Sequence, residues 1–196
     1  MQSSAPQSAF LQPFGRFLRS WVSNPAAVGA LAPSGRELSR LMAADLHADS
    51  RVLELGAGTG NLTRGILDAR VRPENLKLVE IDPAFVSLLQ RRFADVEVHA
   101  IDALSVARSL PHLIGHFDCV VSGLPLLLLS RAQRLRLLKN SFRLLAPDGV
   151  LHQFTYAAKC PLERGLLARL GLRAERIGIA ARNFPPAFVY RIRRVQ

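Results

Sequence analysis

The sequence predicts an α/β fold: a mostly parallel β-sheet with helices on both faces, finished by an antiparallel C-terminal hairpin. Two observations carry this. From Val52 onward, short apolar runs alternate with amphipathic stretches, the pattern of a parallel sheet covered on both sides. Towards the C-terminus the alternation stops, and strand-like runs at 176–180 and 187–192 flank Asn183-Phe184-Pro185-Pro186, a short turn between paired strands. The remaining strands are expected at 51–55, 77–81, 95–99, 117–122 and 149–156, with helices near 60–69, 83–92, 103–110, 130–145 and 161–170.

Residues 1–9 are small and polar. In the next segment Phe10, Phe14, Phe17, Leu18 and Trp21 recur at helical spacing on one side, with Gln12, Arg16, Arg19 and Ser20 towards the other. Aromatics opposite arginines describe a helix lying in a membrane interface, and equally an ordinary helix packed across the domain. Residues 1–23 are therefore set apart as a candidate docking segment, with 24–196 as one domain. After Asn24-Pro25, a helix starts near Ala32-Pro33-Ser34, where Ser34 and Glu37 have the spacing of a capping box.

The first strand runs into Glu54-Leu55-Gly56-Ala57-Gly58-Thr59-Gly60, a glycine-rich strand-to-helix turn of the kind that cradles a nucleotide-like ligand. The GxGxxG dinucleotide pattern is not met, because Asn61 stands where its third glycine belongs. The second strand, Leu76–Asp82, ends in acid. Glu80 lies about twenty residues beyond Gly60, where a carboxylate can accept both ribose hydroxyls of an adenosine. The third strand also ends in acid, at Asp102. The fourth, Phe117–Ser122, runs into Gly123-Leu124-Pro125 and four leucines. Ser130 and Gln133 have capping-box spacing, and Pro147-Asp148-Gly149 reads as the turn into the fifth strand.

At 196 residues, 49% of them hydrophobic, the chain suits one domain with a real core. A net charge of +11 calls for an anionic partner, nucleic acid or acidic membrane. Of the two cysteines, Cys119 lies in an apolar strand and is expected as a buried thiol rather than half of a disulfide. No His/Cys cluster has metal-ligand spacing, no apolar run approaches the length of a membrane span, and no signal peptide is expected.

The alternating glycines 56, 58 and 60 behind Glu54 resemble motif I of the S-adenosylmethionine-dependent methyltransferases. The resemblance implies their Rossmann-like class I fold, with a seven-stranded sheet. It implies that Glu54 meets the methionine amino group, and that Gly56, Ala57 and Gly58 lie along the ligand. Glu80 and Ile81 would take the ribose, and Asp102 and Ala103 the adenine. Ser34 either caps its helix or bonds the cofactor carboxylate. Ala32-Pro33-Ser34, Val79-Glu80-Ile81-Asp82, Ser122-Gly123-Leu124-Pro125-Leu126, Gln153-Phe154-Thr155-Tyr156 and Asn183-Phe184-Pro185-Pro186-Ala187 look like bacterial phospholipid N-methyltransferases, small enzymes that methylate phosphatidylethanolamine at a membrane surface. On that likeness Ser122 and Tyr156 are the candidate catalytic residues, Ser122 also counted with the cofactor-binding residues, with Tyr156 equally able to serve packing and His152 a weaker candidate. Phe14, Arg16, Phe17, Arg19, Trp21 and Leu126 would face lipid. The expected cofactor is S-adenosylmethionine, whose sulfonium makes its methyl electrophilic without a metal. The expected partner is an anionic, ethanolamine-bearing membrane surface rather than nucleic acid, met by a monomer on the cytoplasmic side of a bacterial membrane. Two other readings remain: a ribosomal RNA adenine dimethyltransferase, opposed by Ser122 and Leu126 where such enzymes carry Asn and an aromatic, and a non-enzymatic lipid- or RNA-binding cofactor sensor.

Overall fold

The computed structural model describes residues 33–183 and 185–195. The 1–23 segment lies outside the described residues, and with it Phe14, Arg16, Phe17, Arg19 and Trp21. The sheet is built from β1 (Val52–Leu55), β2 (Leu76–Glu80), β3 (Glu97–Ala100), β4 (Phe117–Ser122), β5 (Leu145–Thr155), β6 (Leu172–Ala180) and β7 (Ala187–Arg194), in the order β3-β2-β1-β4-β5-β7-β6. The pairings from β3 through β5 are parallel, and β7 lies antiparallel between β5 and β6. This is the Rossmann-like class I architecture, with the C-terminal hairpin where it was expected.

The helices are α1 (Pro33–Met42), α2 (Asn61–Asp68), α3 (Pro83–Arg92), α4 (Val106–Ser109), α5 (Arg131–Leu144) and α6 (Arg164–Arg169). Their starts follow from local chemistry. Asp82 caps α3 by accepting the Ala84 N–H at 2.8 Å, with Pro83 occupying the first turn. Ser130 and Gln133 cap α5 reciprocally: Gln133 N–H donates to Ser130 Oγ at 3.2 Å, and Ser130 N–H donates to Gln133 Oε1 at 2.9 Å. One face of the sheet packs Leu53, Leu55, Phe117 and Leu151 against Leu137, Leu138 and Leu144 of α5. The other packs Val52, Leu76, Leu78 and Val121 against Met42 of α1, Ile66 of α2 and Leu89 of α3. Strand alternation sends every second residue to each face, which is why Val52 and Leu53 belong to different clusters. Cys119 is buried and free, with burial pushing its thiol up to about 12.

Some boundaries differ from those expected. The first helix starts at Pro33, which places Ser34 within its first turn. Glu37 instead accepts the Arg182 N–H at 3.0 Å, tying α1 to the segment after β6. Pro147-Asp148-Gly149 is not a turn before β5 but an irregularity within it. The register with β4 shifts between Phe117 and Cys119, and a Cβ on Gly149 would lie 2.9 Å from the Phe117 carbonyl oxygen. The expected 103–110 helix is split into a 3-10 turn, Ala103–Ser105, and α4, because the Asp102 side chain accepts the Leu104 N–H and closes the first turn tightly.

Candidate active site

The parallel strands end at one rim of the sheet, and the candidate residues collect there, where α/β proteins of this topology place their ligands. The loop Gly56–Gly60 leaves β1 with Gly56, Gly58 and Gly60 at positive φ. Gly56 N–H and Ala57 N–H donate to Val79 O at 2.8 and 3.3 Å, pinning the loop to β2. The reason for glycine is not the same at each position. A Cβ on Gly56 would lie 2.6 Å from Leu124 Cδ2, so the neighbour crowding it is the turn after β4 rather than the space for a ligand. Around Gly58 nothing lies within 4 Å of an added Cβ.

Glu80 ends β2 and is almost wholly buried. Its Oε2 accepts Gly58 N–H at 2.8 Å, and its Oε1 accepts Ile81 and Asp82 N–H at 2.8 and 3.0 Å. The carboxylate thus stands between the glycine loop and the start of α3, with three of its four acceptor sites used by the backbone and one, on Oε2, left open. Asp102 lies past the end of β3 rather than at it, and caps the 3-10 turn whose Ala103 is buried.

Glu54 lies within β1, on the face that packs against α2, and is fully buried. Its Oε2 accepts the Thr63 hydroxyl at 2.6 Å, while its Oε1 is buried without a partner. Burial pushes this carboxyl up to about 8, against the opposing effect of Thr63. A buried acid that is half satisfied is costly unless something completes it. An ammonium beside Oε1 would do so, and the methionine end of S-adenosylmethionine carries one. The donor set therefore fits this cofactor: an orphaned carboxylate oxygen for the amine, a carboxylate at the glycine loop for hydroxyls, and left-handed glycines between them. Among the described residues, no group of His, Cys, Asp and Glu is arranged to hold a metal ion.

The strands β4 and β5 supply the floor. Ser122, fully buried, pairs in register with Gln153, and its Oγ lies 3.4 Å from Leu124 N. Gln153 was not singled out from the sequence as a site residue. Its Nε2 donates to Leu124 O at 2.9 Å and to Phe154 O at 2.8 Å, fixing the Ser122–Leu124 turn, while its Oε1 is buried without a partner. Gly123 is needed for close approach: its N–H donates to Leu55 O at 2.8 Å, and a Cβ would stand 2.7 Å from Gly56 O. The glycine loop and the Ser122–Leu124 turn are thus in backbone contact. Leu126, expected at the lipid-facing lip, is only 2% exposed, because it anchors the 3-10 turn Leu126–Leu128 in the core; the exposed leucines are its neighbours 127 and 128.

Tyr156 follows β5, its ring edge-on to Phe154 at 5.5 Å and its hydroxyl bonded to the Asn183 side chain. Burial holds its phenol above the usual range, so it stays protonated. His152 is a packing residue in this fold. Its Nδ1–H donates to Met42 O at 2.9 Å beneath α1, and burial lowers its pKa and keeps the ring neutral.

Comparison with known proteins shows the family and agrees with the fold. Residues 52–149 match the family model described as a methyltransferase domain. The ornithine lipid N-methyltransferase of Singulisphaera acidiphila is 32% identical over 193 residues, covering 95% of this chain and 98% of that one. The probable ribosomal RNA small subunit methyltransferase A of Methanosarcina acetivorans is 41% identical over 123 residues, covering 61% of this chain and 40% of that protein. Among solved structures, the 1,6-didemethyltoxoflavin-N1-methyltransferase of Burkholderia thailandensis, bound to its substrate and S-adenosylhomocysteine, superposes with a TM-score of 0.69 at 18% identity, covering 99% of this chain and 94% of that one. That last likeness is one of fold.

Proposed function

We propose that this chain, which belongs to the methyltransferase-domain family and uses S-adenosylmethionine, transfers methyl groups to the primary amine of a membrane lipid. Phosphatidylethanolamine is the first candidate acceptor, with its mono- and dimethyl products following towards phosphatidylcholine. The observation that carries the reading is the turn after β4. A nucleobase acceptor needs a ring to stack on, worth roughly 1–3 kcal/mol; Ser122-Gly123-Leu124-Pro125 is followed by leucines and offers none. The similarity to the ornithine lipid enzyme, over nearly the full length of both chains, supports a lipid amine and makes an ornithine headgroup the alternative acceptor.

S-adenosylmethionine supplies the electrophilic methyl. The chain's own contribution is positioning and exclusion of water. Glu54 would hold the amine of the donor and Glu80 its ribose. Ser122 Oγ and the Leu124 carbonyl, held by Gln153, present acceptors to the amine from the floor of the site. Tyr156, a neutral phenol, serves the amine as a hydrogen-bond partner and through its ring rather than as a base. The setting is the cytoplasmic face of an anionic membrane, and no helix among the described residues is long and apolar enough to cross one.

The test offers pure protein labelled S-adenosylmethionine with three acceptors: vesicles containing phosphatidylethanolamine, vesicles containing ornithine lipid, and deproteinised ribosomal RNA. Label in either lipid upholds the lipid-amine reading, and the faster of the two names the headgroup. Label in RNA with silent lipids establishes the adenine reading, which the partial match to the archaeal ribosomal RNA enzyme favours.

A further inference from the structure

We propose that Leu127 and Leu128, with the cations around them, form a membrane-docking element that seats the mouth of the site on an anionic lipid leaflet. The proposal deepens the lipid-amine reading and rests on it. The 3-10 turn Leu126–Leu128 leaves β4 directly after Ser122–Pro125. Leu126 and Leu129 point into the core, while Leu127 is 56% and Leu128 49% exposed. The mount is firm. Leu128 N–H donates to Pro125 O at 3.0 Å, and Leu129 N–H to Leu126 O at 3.1 Å. Arg134 then clamps the turn to the segment after β5, its Nε donating to Leu129 O at 3.2 Å and its Nη1 to Pro161 O at 2.8 Å. A third exposed apolar side chain, Ile179, lies at the same end of the sheet, since Phe188 is in register with both Ile179 and Thr155 at the end of β5.

The surroundings are cationic. Residues 123–136 and 157–170 carry Arg131, Arg134, Arg136, Lys159, Arg164 and Arg169 against Glu163 as their single acid. Glu163 is already paired with Arg131 at 3.4 Å. Exposed leucines on a turn whose flanking and tethered segments are cation-rich fit a lipid surface, where apolar side chains enter the acyl boundary and Lys and Arg meet anionic headgroups. RNA would meet the cations but give leucine no ring to stack against. A protein partner would need about 800 Å² a side, far more than two leucines supply. Docked this way, the Ser122–Leu124 turn sits at headgroup depth, so a lipid amine reaches the donor without leaving its leaflet.

The experiment compares the full chain with its L127S/L128S variant on vesicles of phosphatidylglycerol and phosphatidylethanolamine. Partitioning is measured by flotation, and S-adenosylhomocysteine affinity by calorimetry reports that the variant is folded. Removing two half-exposed leucines from the acyl boundary should weaken partitioning about thirtyfold and reduce methylation of vesicle lipid in step, with S-adenosylhomocysteine affinity kept. A second variant, K159E/R164E, should lose binding at low salt and differ little from the parent at high salt. The docking proposal is overturned if L127S/L128S floats like the parent, or if the parent prefers RNA to these vesicles and the leucine variant weakens that preference. Failure of the underlying reading looks different: the parent then floats but methylates neither these vesicles nor short-chain ethanolamine and ornithine lipids dispersed in water.

Discussion

The two ends of the sheet handle charge in opposite ways. At the amino end, charges are paired within the fold. Arg51 grips Asp118 through two side-chain bonds, Nη2 to Oδ1 at 2.5 Å and Nε to Oδ2 at 3.1 Å; Arg191 pairs with Asp45; and Arg194 gathers the carbonyls of Phe142, Ala146 and Pro147. At the carboxyl end, Glu54, Glu80 and Asp102 take no cation partner among the described residues; backbone N–H groups and the Thr63 hydroxyl hold them. Buried ionisable groups are ordinarily paired. Acids that a fold leaves without a cation partner where the parallel strands end are available to something outside the chain, and that is what distinguishes a site from a scaffold here.

The largest test of this contrast is pH dependence at Glu54. Its folded pKa of about 8 lies above the ordinary carboxylate range, so the folded protein without cofactor holds a proton that the unfolded chain releases. Its contribution to stability is fully present below the unfolded pKa and is lost as pH rises through about 8. The effect is on the order of a few kcal/mol across that window. Melting temperatures of the cofactor-free protein from pH 5 to 9 should fall on this account, and Glu54→Gln should flatten the fall. Cofactor binding, by setting an ammonium beside the carboxylate, should release a proton measurable by calorimetry in buffers of different ionisation enthalpy. A variant with the parent's slope would remove Glu54 from the contrast.

Next in size is Glu80→Ala. Loss of a charged hydrogen-bond acceptor costs roughly 1.5–3 kcal/mol, so S-adenosylhomocysteine should bind about ten- to a hundredfold more weakly. Unchanged affinity in a folded variant would show that the carboxylate serves only the backbone donors it already holds. The smallest effect belongs to the amino end. Asp118 is partly solvated and its pKa is lowered chiefly by its hydrogen bond to Arg51, so its stabilisation is lost as pH falls through that lowered value. Asp118→Asn should cost under about 1 kcal/mol in urea denaturation at neutral pH and leave cofactor affinity alone. A loss of affinity there would mean that the two ends are coupled.

What could be read from sequence depended on whether chemistry marks the element. Helix α3 and strand β4 have the expected bounds: Asp82-Pro83 punctuates one, and a buried apolar run ending at Gly123 delimits the other. The capping box at Ser130 was readable for the same reason. Long-range pairing was not. Gln153 matters because it stands in register with Ser122 and reaches the Leu124 carbonyl, and neither fact has a signature in a single strand's residues. The four leucines at 126–129 have no period that tells inward from outward, so the sequence does not show that Leu126 is buried while Leu127 and Leu128 are exposed. The acid at Glu54 was visible, but its burial came from the alternation of β1 beneath α2. The proline and glycine at 147 and 149 suggested a break, whereas β5 absorbs them as a bulge.

The interposed position of β7 constrains how the protein can be made. Among the described residues β6 pairs in the sheet with β7 alone, so as the chain leaves the ribosome this strand waits, unpaired, until Ala187–Arg194 follows it out. Five parallel strands can associate while β6 is still looking for its place. During that interval the charges along β6, Arg173, Glu175 and Arg176, are what discourage its open edge from pairing with the same strand of a neighbouring nascent chain.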